Sequence, residues 1–200
     1  MATTQDTAAY AHTRKVSRLP PLPAVPDPVL TENFENILAR GGQIINLHRV
    51  SGHAPVLAKV RGDFVWALRD ACLASRQMRE LAIVRVAYLM DCDYELDHHL
   101  PLARRAGLSD AQIEALRDWR GKEELFDTPQ LALLAYLDGM FNNRGEVDDD
   151  TFQRLLTHFP PQEIVELTMC ATSYYANAFY VKALGVEIDE PQAKAAPGRF

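Results

Sequence analysis

The stretch RQMRELAIVRVAYLMDCDYELDHH, residues 76–99, decides the fold of this chain. Between positions 78 and 89 its apolar residues fall on nearly every side of a helix, which is typical of an element buried at the centre of a helical protein. A second helical pattern starts near Asp91 or Asp93, one of which is expected to cap it, and closes at Gly107. The stretch therefore predicts two consecutive helices, the first over residues 76–91.

Helical patterns also flank this pair on both sides. No segment alternates with period two for long enough to require a strand, and no internal repeat of the length used by solenoid proteins is present. The sequence predicts an all-α fold built as a single domain. The flanking helices are expected after Thr31, over 54–72, after Ser109, over 128–143, after Glu146 and over 162–185.

Three regions are predicted along the chain. Residues 20–28 (PPLPAVPDP) contain five prolines, which oppose a helix and favour an extended segment. Residues 1–29 are therefore assigned to an N-terminal arm, residues 30–188 to the helical domain and residues 189–200 to a polar tail. The arm is expected to lie across its own domain or a neighbouring subunit, or to be a frayed tail.

Composition and charge exclude several classes of function. The 200 residues carry 21 Lys and Arg against 27 Asp and Glu, a net charge of −6, so the basic stripe of a nucleic-acid-binding protein is absent. Three widely spaced cysteines (Cys72, Cys92 and Cys170) do not fit a disulfide scaffold. No apolar run reaches the roughly 18 residues that a bilayer requires, and no signal peptide is recognisable. We expect a cytoplasmic protein with neither nucleic acid nor membrane as a partner.

Four side chains of the central stretch suggest proton-transfer chemistry. Cys92, Glu95 and His99 are spaced i, i+3 and i+7, so a helix presents them on one face, with the thiol near the positive end of the helix dipole. Glu95, four residues before His99, can orient the imidazole. Glu80 lies in an apolar window where we expect desolvation to raise its pKa. These four are the predicted catalytic residues. The predicted substrate-binding residues are their neighbours Arg79, Tyr94 and His98.

Structural interpretations of the same residues remain open at this point. Glu80 can simply pair with Arg76 or Arg79 in the first turn of its helix. Cys92 can be an inert core residue. Only one of His98 and His99 can share the face of Glu95. The tyrosines of the last helix, including Tyr174, are expected to pack in the core rather than to line a pocket.

A metal site has weaker support. Glu95 and His98 form a Glu-x-x-His, which is half of the di-iron pattern of helical bundles, and Glu80 could be a further ligand. The second Glu-x-x-His is missing from the sequence, and the Glu163-x-x-Glu166 pair of the last helix has no histidine near it. We therefore assign no metal ligands and expect no cofactor.

Residues 79–116, RELAIVRVAYLMDCDYELDHHLPLARRAGLSDAQIEAL, closely resemble the core of the carboxymuconolactone decarboxylase and alkylhydroperoxidase D-like family. The resemblance covers about residues 30–188. Thiol-reducing members have a Glu at the start of one helix, then Cys-x-x-Cys and a His four residues after the second Cys. On this chain these positions hold Glu80, Cys92 and His99, whereas Glu95 replaces the second Cys. In those members the second Cys is the peroxidatic thiol and the first Cys resolves it.

The residue at position 95 favours proton transfer over thiol redox chemistry. A Cys-x-x-Cys pair turns over by closing an internal disulfide. With Glu95 in place of one thiol, Cys92 requires an external thiol, or Cys72 or Cys170 brought close by the fold.

The resemblance implies an oligomeric enzyme that acts on small molecules. We expect a homo-oligomer, a trimer or hexamer, that performs cofactor-independent acid–base chemistry on a small carboxylated or lactone-like substrate: decarboxylation, isomerisation or ring opening. Protonated His99, or Arg79 or Arg85, is expected to stabilise the negative charge that forms on carbon. The alternatives are a thiol peroxidase that uses Cys92 and an oligomeric binding protein without catalytic activity.

Overall fold

The computed structural model describes residues 16–22 and 27–190, and within them it contains helices but no strand. The predicted all-α fold is confirmed. None of these helices is long and apolar enough to cross a membrane. The described helices are α1 (Pro28–Ala39), α2 (Asn46–Ser51), α3 (Pro55–Asp70), α4 (Arg76–Leu89), α5 (Asp93–Arg105), α6 (Asp110–Ala115), α7 (Thr128–Asn142), α8 (Asp149–His158) and α9 (Pro161–Leu184), with a 3-10 turn at Glu123–Leu125.

The helix boundaries follow from the capping residues. Ser109 caps α6 as predicted, since its hydroxyl accepts a hydrogen bond from the Gln112 backbone N–H at 3.1 Å. The predicted cap of α1 was wrong by four residues, because Asp27 rather than Thr31 is its cap and accepts from the Val29 N–H at 2.8 Å. Pro28 then occupies the first helical position, where a missing N–H costs nothing. The short helix α2 was not predicted.

Of the described residues, 16–22, 27–67 and 180–190 form one compact unit. Its core is a small apolar cluster from α1 and the loop that follows, consisting of Leu30, Phe34, Ile37 and Ile44. Part of the proline-rich arm is bound within this unit: the Arg18 N–H donates to the Leu184 carbonyl at 2.8 Å, and the Glu187 N–H donates to the Val16 carbonyl at 2.9 Å. Residues 16–22 therefore lie on their own chain, whereas 1–15 and 23–26 are outside the described residues.

Residues 68–179 form the second compact unit, which contains the larger core and all of the predicted site residues. Helix α4 is buried on nearly all sides, as its apolar pattern predicts, and it packs most extensively against α5 and α7. The side chains of this core that are fully shielded from solvent include Leu81, Val84, Val86, Leu116, Leu133, Leu134, Leu137 and Ala171.

A buried ion pair ties three helices of this unit together. The Arg85 guanidinium of α4 contacts the Asp138 carboxylate of α7 at 2.7 Å and donates to the Leu116 carbonyl at the end of α6 at 2.8 Å. Asp138 also accepts from the Trp119 indole N–H at 3.0 Å and from Arg120 at 3.2 Å. These bonds satisfy the buried carboxylate of Asp138. They also engage Arg85, which the sequence analysis gives as one of the residues expected to stabilise the negative charge on carbon.

Candidate active site

The buried imidazole of His99 is the centre of the candidate site. It is carried by α5, and its Nδ1 lies 2.9 Å from Oε2 of Glu80 on the neighbouring helix α4. Glu80 is only 1% exposed and His99 8%. A carboxyl group is this strongly buried only where it has partners, because an isolated charge in the protein interior is unfavourable by several kcal/mol or more.

A second carboxylate faces the other ring nitrogen of His99. Oε2 of Glu95 lies 3.7 Å from Nε2, one helical turn away on α5, as the i, i+4 spacing predicts. This distance is longer than a hydrogen bond but allows a strong charge interaction in a buried setting. The other oxygen of Glu95, Oε1, accepts a hydrogen bond from the side-chain amide of Asn177 on α9. Asn177 therefore fixes the carboxylate so that one oxygen faces the imidazole.

Arg76 completes the row of charges. Its guanidinium lies 2.7 Å from Oε1 of Glu80, again with i, i+4 spacing, so the two oxygens of Glu80 are shared between an arginine and the imidazole. With His99 protonated and both carboxylates ionised, the charges of Arg76, Glu80, His99 and Glu95 alternate in sign and sum to zero. We call these four side chains the charge row. Glu80 therefore pairs with Arg76, as the structural interpretation of the sequence allowed, and contacts His99 at the same time.

The charge row shifts the pKa of both of its central groups. Burial by itself raises the pKa of Glu80, but the charge and hydrogen bond of His99, with those of Arg76, outweigh burial and hold that pKa below its ordinary value. Burial lowers the pKa of His99, but Glu80 and Glu95 outweigh it and raise that pKa above its ordinary value. The expected increase in the pKa of Glu80 is therefore wrong, because the sequence did not reveal how closely His99 approaches.

Cys92 lies at the start of α5, where it is the N-cap residue rather than part of the first turn. It is 1% exposed. Among the described residues its sulfur forms no disulfide with Cys72 or Cys170. Burial, more than the nearby Glu80 carboxylate, raises the pKa of the Cys170 thiol to about 12, so this thiol is poorly suited to resolve an oxidised Cys92.

Comparison with known proteins assigns the chain to a family. The sequence model of the Carboxymuconolactone decarboxylase family matches residues 55–137. The uncharacterised protein YnjA of Escherichia coli (strain K12) is 30% identical over 129 residues, which are 64% of this chain and 70% of YnjA. The chain belongs to the carboxymuconolactone decarboxylase family. The resemblance noted in the central stretch is thereby confirmed.

Solved structures extend the similarity in fold beyond the matched segment. An uncharacterised peroxidase-related protein from Silicibacter sp. TM1040 has a TM-score of 0.75 and 17% identity, covering 92% of this chain and 96% of its own. The alkylhydroperoxidase AhpD core of a peroxidase-related protein from Ralstonia eutropha JMP134 has a TM-score of 0.74 and 17% identity, covering 94% and 98%. This chain therefore has the AhpD-like helical fold. The family to which it belongs is named for an enzyme, a decarboxylase.

The three predicted substrate-binding residues of this family member have different surroundings. The Arg79 guanidinium is buried and donates to the Leu68 and Arg69 carbonyls at the end of α3, the latter at 3.2 Å. Tyr94 is buried with its ring 4.7 Å from that of the half-buried His98. The structure thus gives Arg79 a helix-capping contact, and the substrate-binding role of all three residues stays a prediction.

Helix α9 supplies site residues that sequence reasoning missed. Asn177 contacts Glu95, and the Tyr174 ring stands edge-on to that of His99, at 84° with centroids 4.8 Å apart. The sequence predicts a core position for Tyr174 and does not single out Asn177. The available signal is their spacing with Cys170 at i, i+4 and i+7, which places a thiol, a phenol and an amide on one face of the helix.

The described part of the chain, 16–22 and 27–190, contains no group of three or more His, Cys, Asp or Glu side chains arranged to hold a metal ion. In the charge row the Nδ1 of His99 is occupied by Glu80, and its Nε2 faces Glu95. Of the Glu-x-x-His in the sequence, Glu95 lies 3.7 Å from Nε2 of the next histidine, His99.

Proposed function

We propose that this protein is a cofactor-independent acid–base enzyme that acts on a small carboxylated or lactone-like organic substrate. The observation that carries the proposal is the placement of His99 between two carboxylates, one opposite each ring nitrogen. Glu95 and His99 form the acid–base pair, and Glu80 holds the imidazole in its charged form. Cys92 is ancillary in this proposal.

The geometry supports proton delivery to carbon. The 3.7 Å between Glu95 and Nε2 of His99 leaves both groups able to reach a substrate atom, whereas Nδ1 is held by Glu80. In a decarboxylation, the carbon–carbon bond to the carboxylate breaks and its electron pair delocalises onto an adjacent carbonyl oxygen. Carbon dioxide then leaves, and the Nε2 proton is transferred to the carbon. In an isomerisation, Glu95 removes a proton from one carbon and His99 returns one to another.

The test compares three variants on one panel of substrates. Glu95→Gln and His99→Asn should each reduce turnover of carboxylated γ-lactones by roughly 10²–10⁴-fold, the usual contribution of a general acid or base. Cys92→Ser should retain turnover. Glu114→Gln and His158→Asn, which make the same chemical changes outside the charge row, are the matched controls. Loss of turnover in Cys92→Ser together with retention in Glu95→Gln would contradict the proposal.

A thiol peroxidase is the second candidate, and the position of Cys92 favours it. The residue caps α5 one turn before Glu95, and the AhpD-like fold of the structural relatives is that of peroxidase-related proteins. In this reaction the Cys92 thiolate attacks the peroxide O–O bond, giving a sulfenic acid and an alcohol. Two equivalents of an external thiol then return the cysteine and release water and a disulfide. Consumption of cumene hydroperoxide with dithiothreitol, abolished by Cys92→Ser, is the result that selects this candidate.

The other expectations from the family resemblance also remain proposals. A homo-oligomer is supported by the apolar side chains that α9 exposes, Val165, Met169 and Phe179, which are 46–57% exposed in the single chain. Light scattering coupled to size exclusion measures the mass directly. A ligand that raises the melting temperature without being converted would instead indicate a binding protein.

A further inference from the structure

Asn177 of α9 bonds to a residue of another helix rather than to its own. The hydroxyls of Thr172 and Ser173, on the same helix, each donate to a carbonyl of α9 at 2.8 Å. The Asn177 side-chain amide instead donates to Oε1 of Glu95 on α5. Asparagine is a poor residue for a helix interior, and burying an amide without a partner is unfavourable. The bond to Glu95 therefore compensates for placing an amide that is only 9% exposed in the interior of α9.

The two carboxylates of the charge row are stabilised in different ways. Glu80 lies 2.7 Å from Arg76 and 2.9 Å from His99, so both of its oxygens contact a cation. Glu95 lies 3.7 Å from His99, which is beyond hydrogen-bond distance, and its other oxygen accepts from a neutral amide. Both carboxylates are buried. The charge of Glu95 therefore depends on a hydrogen bond from Asn177, whereas that of Glu80 depends on two cations.

The ionisable groups around Glu95 act on its charge in opposite directions. His99, on the same helix, favours the ionised form. From α4, Glu80 opposes it, and Arg76 offsets Glu80 because the two are paired at 2.7 Å. From α9, Tyr174 contributes no charge, because desolvation raises its pKa well above the ordinary value. Burial of Glu95 itself favours a neutral carboxyl, so a hydrogen-bond donor at Oε1 decides between the two forms.

We propose that Asn177 is a positioning residue that determines where the shared proton of Glu95 and His99 resides. The pair shares one proton, which lies either on the imidazole, leaving two opposite charges, or on the carboxyl, leaving none. An N–H that donates to Oε1 stabilises the carboxylate, so the proton stays on His99. Glu95 therefore begins the reaction as the base and His99 as the acid. The inference rests on the proposed function, which it deepens by assigning the starting state of the acid–base pair.

Carbon-13 NMR of the full chain, labelled at Cδ of glutamate, measures the charge of Glu95 without requiring turnover. The Glu95 resonance is assigned by its loss in Glu95→Gln. Asn177→Leu keeps a similar side-chain shape but donates no hydrogen bond. The titration midpoint of Glu95 should rise in this variant by about one to two pH units, as expected for losing a hydrogen bond to a charged group. Asn177→Asp should raise the midpoint at least as far, because it adds a second carboxyl group.

The titration of His99 and the pH profile of turnover provide two further readouts. Once the proton rests on Glu95, the negative charge opposite Nε2 is gone, so the nitrogen-15 titration midpoint of His99 should fall in Asn177→Leu. Turnover of carboxylated γ-lactones by this variant should decrease mainly in kcat, most strongly below the raised midpoint of Glu95, and should recover above it. A purely structural role for Asn177 would lower turnover equally at all pH values.

Asn33→Leu is the matched control, since it makes the same chemical change at a buried asparagine of α1 that is 7% exposed. It should leave the titrations of Glu95 and His99 unchanged even where it lowers stability. Asn177→Asp carries the test if Asn177→Leu does not fold. A Glu95 midpoint that stays at the wild-type value in the folded Asn177 variants would overturn the inference, because the amide would then bond equally well to a protonated Glu95 through its oxygen. An equal shift in Asn33→Leu would overturn it as well.

The two proposals fail in distinguishable ways. If the Glu95 midpoint rises in the Asn177 variants as expected and no substrate is ever converted, the placement of the proton stands and the proposed function falls. If turnover requires Glu95 and His99, while both Asn177 variants titrate like the wild type, only the inference about Asn177 falls.

Discussion

The substitution Glu80→Gln perturbs the charge row most selectively. Glutamine has almost the same size and shape, and its carbonyl oxygen still accepts a hydrogen bond from Nδ1 of His99. What disappears is the negative charge that lies 2.9 Å from His99 and 2.7 Å from Arg76. Any loss of stability therefore measures charge pairing and not packing.

The expected loss follows from the burial of each partner. Removing one member of a buried ion pair costs about 3–5 kcal/mol, and His99, at 10% side-chain exposure, is such a partner. The Arg76 side chain is 29% exposed, so solvent screens its contact and about 1 kcal/mol is its upper limit. Because glutamine keeps one hydrogen bond, we expect a loss near the lower end of the range, about 3 kcal/mol.

Urea unfolding at two pH values is the assay. At about pH 6 the wild-type imidazole is charged, and Glu80→Gln should show the full loss. At an alkaline pH above the raised pKa of His99, the wild-type imidazole has lost its proton, so the difference between the two proteins should shrink toward about 1 kcal/mol. The matched control is Asp63→Asn, which removes an exposed i, i+4 pair with Lys59 at 3.0 Å and should cost under about 1 kcal/mol at both pH values.

Two results would refute this reasoning. One is a loss for Glu80→Gln that is no larger than that for Asp63→Asn. The other is a loss of about 3 kcal/mol that stays the same at both pH values, since that would attribute the effect to something other than the charge of His99.

Three further predictions follow from the same structure. Glu80 contributes its full stabilisation above its ordinary pKa near 4.5, and this contribution is lost as pH falls through its lowered pKa. His99 contributes its full stabilisation below its ordinary pKa near 6.5, and this contribution is lost as pH rises through its raised pKa. Urea titrations of the wild type should therefore show greatest stability between these pH values, and a maximum above them contradicts the assignment. Asp138→Asn should cost about 3 kcal/mol or more in urea unfolding, because Arg85 keeps its buried charge without a counterion; a loss under about 1 kcal/mol would show that the pair is dispensable. Ellman's reagent at about pH 8 should modify Cys170 only on the timescale of unfolding, and modification at the rate of a free thiol would refute its pKa of about 12.

Much of the fold could be predicted from the sequence because hydrophobic periodicity and caps are local. The buried helix α4, its predicted start at residue 76 and the Ser109 cap of α6 are all determined by a few neighbouring residues. The errors also have local causes. Asp27 precedes a proline and so competes with Thr31 as a cap, and the six-residue helix α2 is too short to produce a periodic signal.

The candidate site was predictable only where its residues share a helix. Glu95 and His99 meet because they are spaced i, i+4, and this contact could be predicted from helix geometry. The hydrogen bond between Asn177 and Glu95 joins residues 82 positions apart. It depends on how α9 packs against α5, and no local sequence pattern predicts that packing. The pKa of Glu80 was predicted in the wrong direction for the same reason, since its partner His99 belongs to another helix.

An NMR titration of the His99 imidazole tests the central claim most directly. The resonances can be assigned by their loss in His99→Asn, and the nitrogen shifts report the protonation of Nδ1 and Nε2 separately. The account predicts a midpoint above the ordinary value near 6.5, with both nitrogens protonated at pH values below that midpoint. A midpoint at or below 6.5, with one nitrogen unprotonated at neutral pH, would contradict the charge row and the acid–base proposal built on it.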